Sequence, residues 1–208
     1  MGRDWIDWHT AYADPESSLS QRLRTVQEQI RAALDAAPAG PIPVVSMCAG
    51  EGRDLLGVLA DHPRAADVAA RLVELDPTLA ERARQTAETL PATIEVATAD
   101  AGFTDAYAGA VPAQLALFCG VFGNISDPDI AATVAAAREF VRPGGVVVWT
   151  RHREEPDLVP RILEWFAEAG FEPLFVSPKD AGFGVGAHRY IGPARPLGTG
   201  RRLFTFQR

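Results

Sequence analysis

Val44-Val45-Ser46-Met47-Cys48-Ala49-Gly50-Glu51-Gly52-Arg53-Asp54-Leu55 runs from an apolar strand pattern through a glycine turn into the start of a helix. Ile42 to Met47 has the nearly unbroken apolar character of a strand covered on both faces. Gly50 and Gly52 make a turn in which backbone can come close to a ligand, and a helix that follows offers unpaired N–H groups at its positive end. Many tight turns need glycine, so the turn alone identifies nothing. Glu74 adds to it: it lies about twenty positions after Gly52, where the next strand ends, and a carboxylate there can accept a hydrogen bond from each ribose hydroxyl of a nucleoside.

Outward from this stretch, apolar runs alternate with helical patterns. The strands read from sequence are Ile42 to Met47, Ala70 to Leu75, Thr93 to Thr98, Gln114 to Gly120 and Val146 to Arg151. Asp76-Pro77 and Asp127-Pro128 each place a capping Asp before a Pro at a first helical position. Ahead of the first strand, Ser18-Leu19-Ser20-Gln21 reads as a capping box, with Leu19, Leu23, Val26, Ile30 and Leu34 at helical spacing behind it. The alternation predicts an α/β fold with a mostly parallel sheet and helices on both faces. Past the fifth strand, Asp157 to Ala169 reads as a helix ended by Gly170, Phe171 to Ser177 as a strand and Leu203 to Phe206 as a last strand. With no helix between those two, an antiparallel pair at the sheet edge is expected. Pro178 to Gly200 is either a long loop or a loop with a short strand around Val185 to Ile191.

The chain has 208 residues, 47% hydrophobic and 23% charged, with a formal net charge of -7. That is enough for a folded domain with a sizeable core. An acidic balance is a poor start for a nucleic-acid or anionic-membrane binder, which needs a basic face. Lys179 is the single lysine among many arginines, a skew that points to a GC-rich bacterial genome. The opening Met1-Gly2-Arg3-Asp4-Trp5-Ile6 has charges where a secretory signal needs an apolar run, and Ile6 departs from the myristoylation pattern. Ala106 to Ser126 carries no charge, but Pro112, Gln114, Gly120, Gly123 and Asn124 interrupt it, so a buried strand is expected rather than a membrane span. Two cysteines without a signal peptide imply a reducing, cytoplasmic setting, in which the Asn124-Ile125-Ser126 sequon stays unglycosylated.

The nature of the nucleoside is read from two positions. A dinucleotide fingerprint would put a small residue at Leu55, where helix and strand pack closely. Asp100, after the third strand, can accept a hydrogen bond from an adenine amino group. With these residues the chain resembles the class I S-adenosylmethionine-dependent methyltransferases over positions 42 to 150. The resemblance implies a Rossmann-like, doubly wound, mostly parallel seven-stranded sheet with an antiparallel C-terminal strand and an N-terminal helical arm. Positions 1 to 40 would be an aromatic arm and helix serving as a lid, and 41 to 208 the cofactor-binding domain.

The resemblance also implies site roles. Cys48, Ala49, Gly50 and Gly52 would wrap the methionine part of the cofactor, Glu74 and Leu75 the ribose end, and Asp100 and Ala101 the adenine. Cys119 and Gly120 would line the pocket beside the sulfonium, with Tyr12 closing it from the arm. Ser46 stands where the family has an acid, and Cys48 where it has its first glycine. Arg53 reads either as a partner of the cofactor carboxylate or as a surface ion pair, and Asp76 either as a second ribose ligand or as a helix cap. In that fold Cys48 and Cys119 come near each other at the carboxyl end of the sheet.

Catalytic candidates sit on the same rim. The arm holding Trp5, Trp8, His9 and Tyr12 is either a lid or surface packing. Asn124 either orients the nucleophile or shapes a turn. His9, His152 and His188 are each a candidate base for a phenol, amine or similar acceptor, or a structural histidine. Methyl transfer is an in-line displacement in which alignment and water exclusion dominate, so a carboxylate acceptor would need no base. The expected function is S-adenosylmethionine-dependent methyl transfer to an O, N or C nucleophile of a small molecule by a monomer or homodimer, without a metal. Two alternatives stay open: binding of S-adenosylmethionine or its product without turnover, which Ser46 and Cys48 would favour, and a nicotinamide-dependent oxidoreductase, against which Leu55 and Asp100 speak.

Overall fold

The computed structural model describes residues 17 to 207; the expectations placed on Trp5, Trp8, His9 and Tyr12 lie outside the described residues. Seven strands, β1 (Ile42–Met47), β2 (Val68–Glu74), β3 (Thr93–Thr98), β4 (Ala113–Phe118), β5 (Val141–His152), β6 (Phe171–Val176) and β7 (Phe183–Tyr190), form one sheet. Its order is β3-β2-β1-β4-β5-β7-β6. The pairs from β3 through β5 are parallel, and β7 runs antiparallel to both β5 and β6. The helices are α1 (Ser18–Asp35), α2 (Leu55–Leu59), α3 (Pro77–Ala87), α4 (Asp127–Phe140) and α5 (Val159–Glu168).

The central strands are apolar on both faces because both faces are covered. Along β4 successive residues alternate: Ala116 and Phe118 join a core with α4 and α5, through Ile130, Val134, Phe140, Ile162 and Phe166. Leu115 and Leu117 join the opposite core with α1 and α2, through Val26, Ile30, Leu34, Leu55 and Leu59. The helix ahead of β1 therefore contributes to the packing of the sheet. Its cap is Ser17, whose hydroxyl accepts from the Ser20 N–H, one residue before the expected start. Among the described residues no helix is long and apolar enough to cross a membrane.

Several boundaries differ from the sequence reading: β4 ends at Phe118 and not Gly120, β5 begins at Val141 and not Val146, and two further differences bear on the site. The edge partner of β6 is β7, not Leu203 to Phe206, which makes only isolated bridges, Arg202 to Phe103 and Phe206 to Ile125. Of the two readings of Pro178 to Gly200, the one with a short strand around Val185 to Ile191 holds, as β7, which includes Gly184 and Gly186. They are there for packing: a Cβ on Gly186 would lie 2.4 Å from the buried Trp149 ring, the close approach that admits glycine inside a strand. The second difference is β2, which ends at Glu74 and leaves Leu75 63% exposed at the rim.

Candidate active site

The parallel strands β1 to β5 point their carboxyl ends at one rim, and the loops that leave them there hold most of the expected site. Where β1 ends, Cys48, Gly50 and Gly52 all have positive φ, at 51°, 57° and 71°. This tight path turns the Gly50 N–H onto Glu74 Oε2 at 2.7 Å, while Oε1 accepts from the Asp76 N–H at 2.8 Å. Glu74 is buried; a carboxylate has about four acceptor sites, so two backbone donors fix its plane and leave capacity for hydroxyls. Leu75 offers an uncovered apolar face next to it. The Asp76 carboxylate accepts from the Thr78 and Leu79 N–H groups, so it is the cap of α3.

The other rim residues differ in their commitments. Arg53 pairs with Glu51, which also holds Arg82 at 2.7 Å. Together with Leu23, Leu56 and Gly57 these line a cleft of about 470 Å³ on the outer side of the turn. Asp54 caps α2 by accepting from the Leu55 N–H at 2.8 Å, and α2 is a short helix of 5 residues. Asp100 Oδ1 accepts from the Gly102 N–H at 2.8 Å, and Ala101 is buried with its carbonyl taken by the Tyr107 hydroxyl. At the end of β4, Gly120 has φ +74° and open space where a Cβ would point, while its N–H donates to the buried Thr150 hydroxyl.

Cys48 and Cys119 both follow the neighbouring strands β1 and β4, and both are free thiols. They do not meet. Cys48 packs against the core on the α4 and α5 side, and Cys119 against the core on the α1 and α2 side. Strand alternation would place Cys48 on the same side as Val44, but the left-handed backbone at Cys48 reverses it. Burial pushes the Cys48 thiol up, as do the nearby charges of Glu74 and Asp100. Burial also raises the Cys119 thiol, which is hydrogen-bonded to Asp54, and burial raises Asp54 in turn.

Of the catalytic candidates, His152 is at the rim and His188 is not. His152 ends β5, beside Gly123, with Nδ1 buried and without a hydrogen-bond partner among the described residues. Burial lowers its basicity, and the neighbouring Arg151 charge adds to this. His188 pairs with Val147 in the middle of the β5 and β7 ladder. It is 1% exposed, accepts from the Trp149 indole N–H at 3.1 Å, and stacks on Phe166 with centroids 4.5 Å apart. An imidazole walled in by two aromatic rings is a core residue, so its place as a candidate base is corrected here. The side-chain amide of Asn124 donates to the Gly120 carbonyl at 2.7 Å and so ties the turn that follows β4.

The sequence reading took Leu203 to Phe206 for a last strand and gave the segment after β7 no part in the site. Residues 198 to 207 cross the rim from the β3 loop to the start of α4. Leu203 N–H donates to the Gly102 carbonyl at 2.7 Å, Thr104 N–H to the Arg201 carbonyl at 3.0 Å, and Gln207 N–H to the Asn124 carbonyl at 2.8 Å. Leu203 and Phe204 are buried in the core of the α4 side. Arg202 pairs with Asp100 Oδ2 at 3.1 Å and lies over the Phe103 ring at 3.9 Å. Their apolar and aromatic spacing was visible in the sequence, but it read equally as a strand.

No family model matches the chain, and no curated protein matches it. Solved structures do. An O-methyltransferase family protein from Burkholderia thailandensis superposes with a TM-score of 0.65 at 18% identity, covering 88% of this chain and 57% of that one. The 1,6-didemethyltoxoflavin-N1-methyltransferase of the same organism, solved with bound 1,6-didemethyltoxoflavin and S-adenosylhomocysteine, gives 0.60 at 18% identity, covering 90% and 87%. The [4+2]-cyclase SpnF gives 0.62 at 15% identity, covering 88% and 86%. The chain thus has the Rossmann-like fold of the class I S-adenosylmethionine-dependent methyltransferases. The cyclase among these structures is a reminder that function resides in the site and not in the fold.

Proposed function

We propose that the protein transfers the methyl group of S-adenosylmethionine to an O, N or C nucleophile of a small molecule. The observation that carries this reading is the rim itself: the Gly50 N–H holds the buried Glu74 carboxylate at the end of β2, beside the uncovered Leu75, with Asp100 at the end of the adjacent β3. That donor and acceptor set fits a nucleoside with a vicinal diol and an exocyclic amine. Glu74 would accept from the ribose hydroxyls, Leu75 would cover the base, and Asp100 would accept from its amino group. Gly120, with no side chain to fill the space before it, would leave room at the reacting end. When bound, the cofactor supplies a methyl group already activated by a sulfonium.

The chain's own part is then alignment and exclusion of water. Thr150 and Asn124 fix the backbone of Gly120 from both sides. His152, kept neutral near pH 7 by burial, takes the proton of a hydroxyl or amine acceptor on a ring nitrogen as the new bond forms. A small acceptor is supported over nucleic acid by the net charge of -7, since a polyanion would meet repulsion. A cytoplasmic location is part of the same proposal.

Calorimetry with S-adenosylmethionine and S-adenosylhomocysteine tests it. Binding in the micromolar range, lost in Glu74→Ala, is expected. No heat at up to about millimolar ligand, some 4 kcal/mol of binding free energy, would end the cofactor reading. Binding with no methylated product across a broad acceptor panel would leave a binding domain without turnover.

A further inference from the structure

Resting on the cofactor reading above, we infer that residues 198 to 207 form one wall of the adenine subsite and that Arg202 is a positioning residue for Asp100, setting the preference for a 6-amino purine. Asp100 is the end of a short relay. Its Oδ1 is fixed by the Gly102 N–H at 2.8 Å and its Oδ2 by Arg202 Nη1 at 3.1 Å. Two contacts on different oxygens lock the plane of the carboxylate, and each oxygen keeps a second lone pair free. Arg202 is itself held from two directions. It lies over the Phe103 ring at 3.9 Å, and its Nη1 also donates to the Phe204 carbonyl at 3.3 Å.

The wall is seated closely. A Cβ on Gly102 would come within 2.6 Å of the Phe204 carbonyl oxygen and 3.1 Å of Asp100 Oδ1, so only glycine fits between the segment and the β3 loop. Further along, the Thr205 N–H donates to Asp129 at 3.3 Å, and the Gly200 N–H to Asp105 at 2.9 Å. The segment is therefore tied to both sides of the rim opening, and its position does not depend on Arg202 alone. Removing that one guanidinium frees the Asp100 carboxylate to rotate while leaving the backbone wall in place.

A carboxylate held in plane accepts a hydrogen bond from an amino group at purine position 6 and repels a carbonyl oxygen there. The test compares binding of S-adenosylhomocysteine with that of S-inosylhomocysteine, which differs in carrying that carbonyl. Wild type is expected to favour the adenosyl ligand. In Arg202→Gln the preference should shrink by roughly two- to fivefold, the scale of an exposed ion pair, with Arg202→Lys retaining most of it. A merely structural role for Arg202 would weaken both ligands equally and leave their ratio unchanged. That result, or a wild type that does not distinguish the two ligands, overturns the inference while the cofactor reading stands. A wild type that binds neither ligand overturns the cofactor reading itself.

Discussion

Acidification from about pH 7.5 to about pH 5 is expected to cost this fold about 2 kcal/mol through His188 alone. Burial between Trp149 and Phe166 lowers the His188 pKa from 6.5 to about 4. In the unfolded chain the imidazole returns to its ordinary value and takes up a proton as the pH falls through 6.5, whereas in the fold it stays neutral until about 4. The unfolded state therefore binds more protons across that window. Stability contributed by the neutral histidine is complete above the unfolded value and is lost progressively as the pH falls towards the folded one. The full span approaches about 3 kcal/mol, since each pH unit between the two values contributes about 1.4 kcal/mol. Other groups titrate in the same range, so the measurement is a difference: urea unfolding of wild type and His188→Gln at several pH values. Glutamine retains an acceptor for the Trp149 N–H and does not titrate. Wild type should lose about 2 kcal/mol more than the variant between the two pH values, a gap of about 4 to 8 °C in Tm for a chain of this size. Parallel pH profiles would refute the reasoning and return His188 to the solvent-facing candidates.

Gly52→Ala forces a side chain into a backbone at φ +71°, where its Cβ would lie 2.9 Å from Leu56 Cγ and 3.0 Å from Leu72 Cδ2, both on buried residues, so overpacking adds to the cost of the left-handed conformation. A loss of at least about 2 kcal/mol is expected, with weakened S-adenosylhomocysteine binding, and an unchanged denaturation midpoint would contradict it. Cys48 and Cys119, whose thiols are both raised by burial, should alkylate with iodoacetamide at about pH 8 more than about tenfold slower folded than in denaturant. Mass spectrometry reads the rates, and equal rates would show that the thiols are open.

The fold was legible where burial on both faces writes itself as a continuous apolar run, as in β1 and β4, and where Asp76-Pro77 announced a helix. β7 was legible only as one of two alternatives, a short strand around Val185 to Ile191, because its glycines answer to the Trp149 ring, a partner on another strand that no local pattern displays. Glu74 and Asp100 stood at strand ends in the sequence and stand there in the structure, since a parallel sheet carries its loops to one rim by construction. His188 and Asn124 looked like chemistry because their residue types can perform it. The aromatic stack that His188 fills depends on neighbours far along the chain, whereas Asn124 ties a carbonyl four residues before it. The left-handed Cys48 was visible only as a departure from glycine, and its effect on which way the thiol faces needed the backbone.

The ties between Thr104 and Arg201 join residues separated by 97 positions. Closing so long a loop is entropically slow compared with pairing neighbouring strands. The β3 loop thus waits for chain made much later than itself. A nascent chain stopped before residue 198 would carry all seven strands and still lack the segment that pairs with Asp100. On the proposed cofactor reading, binding competence then follows completion of the sheet and does not accompany it.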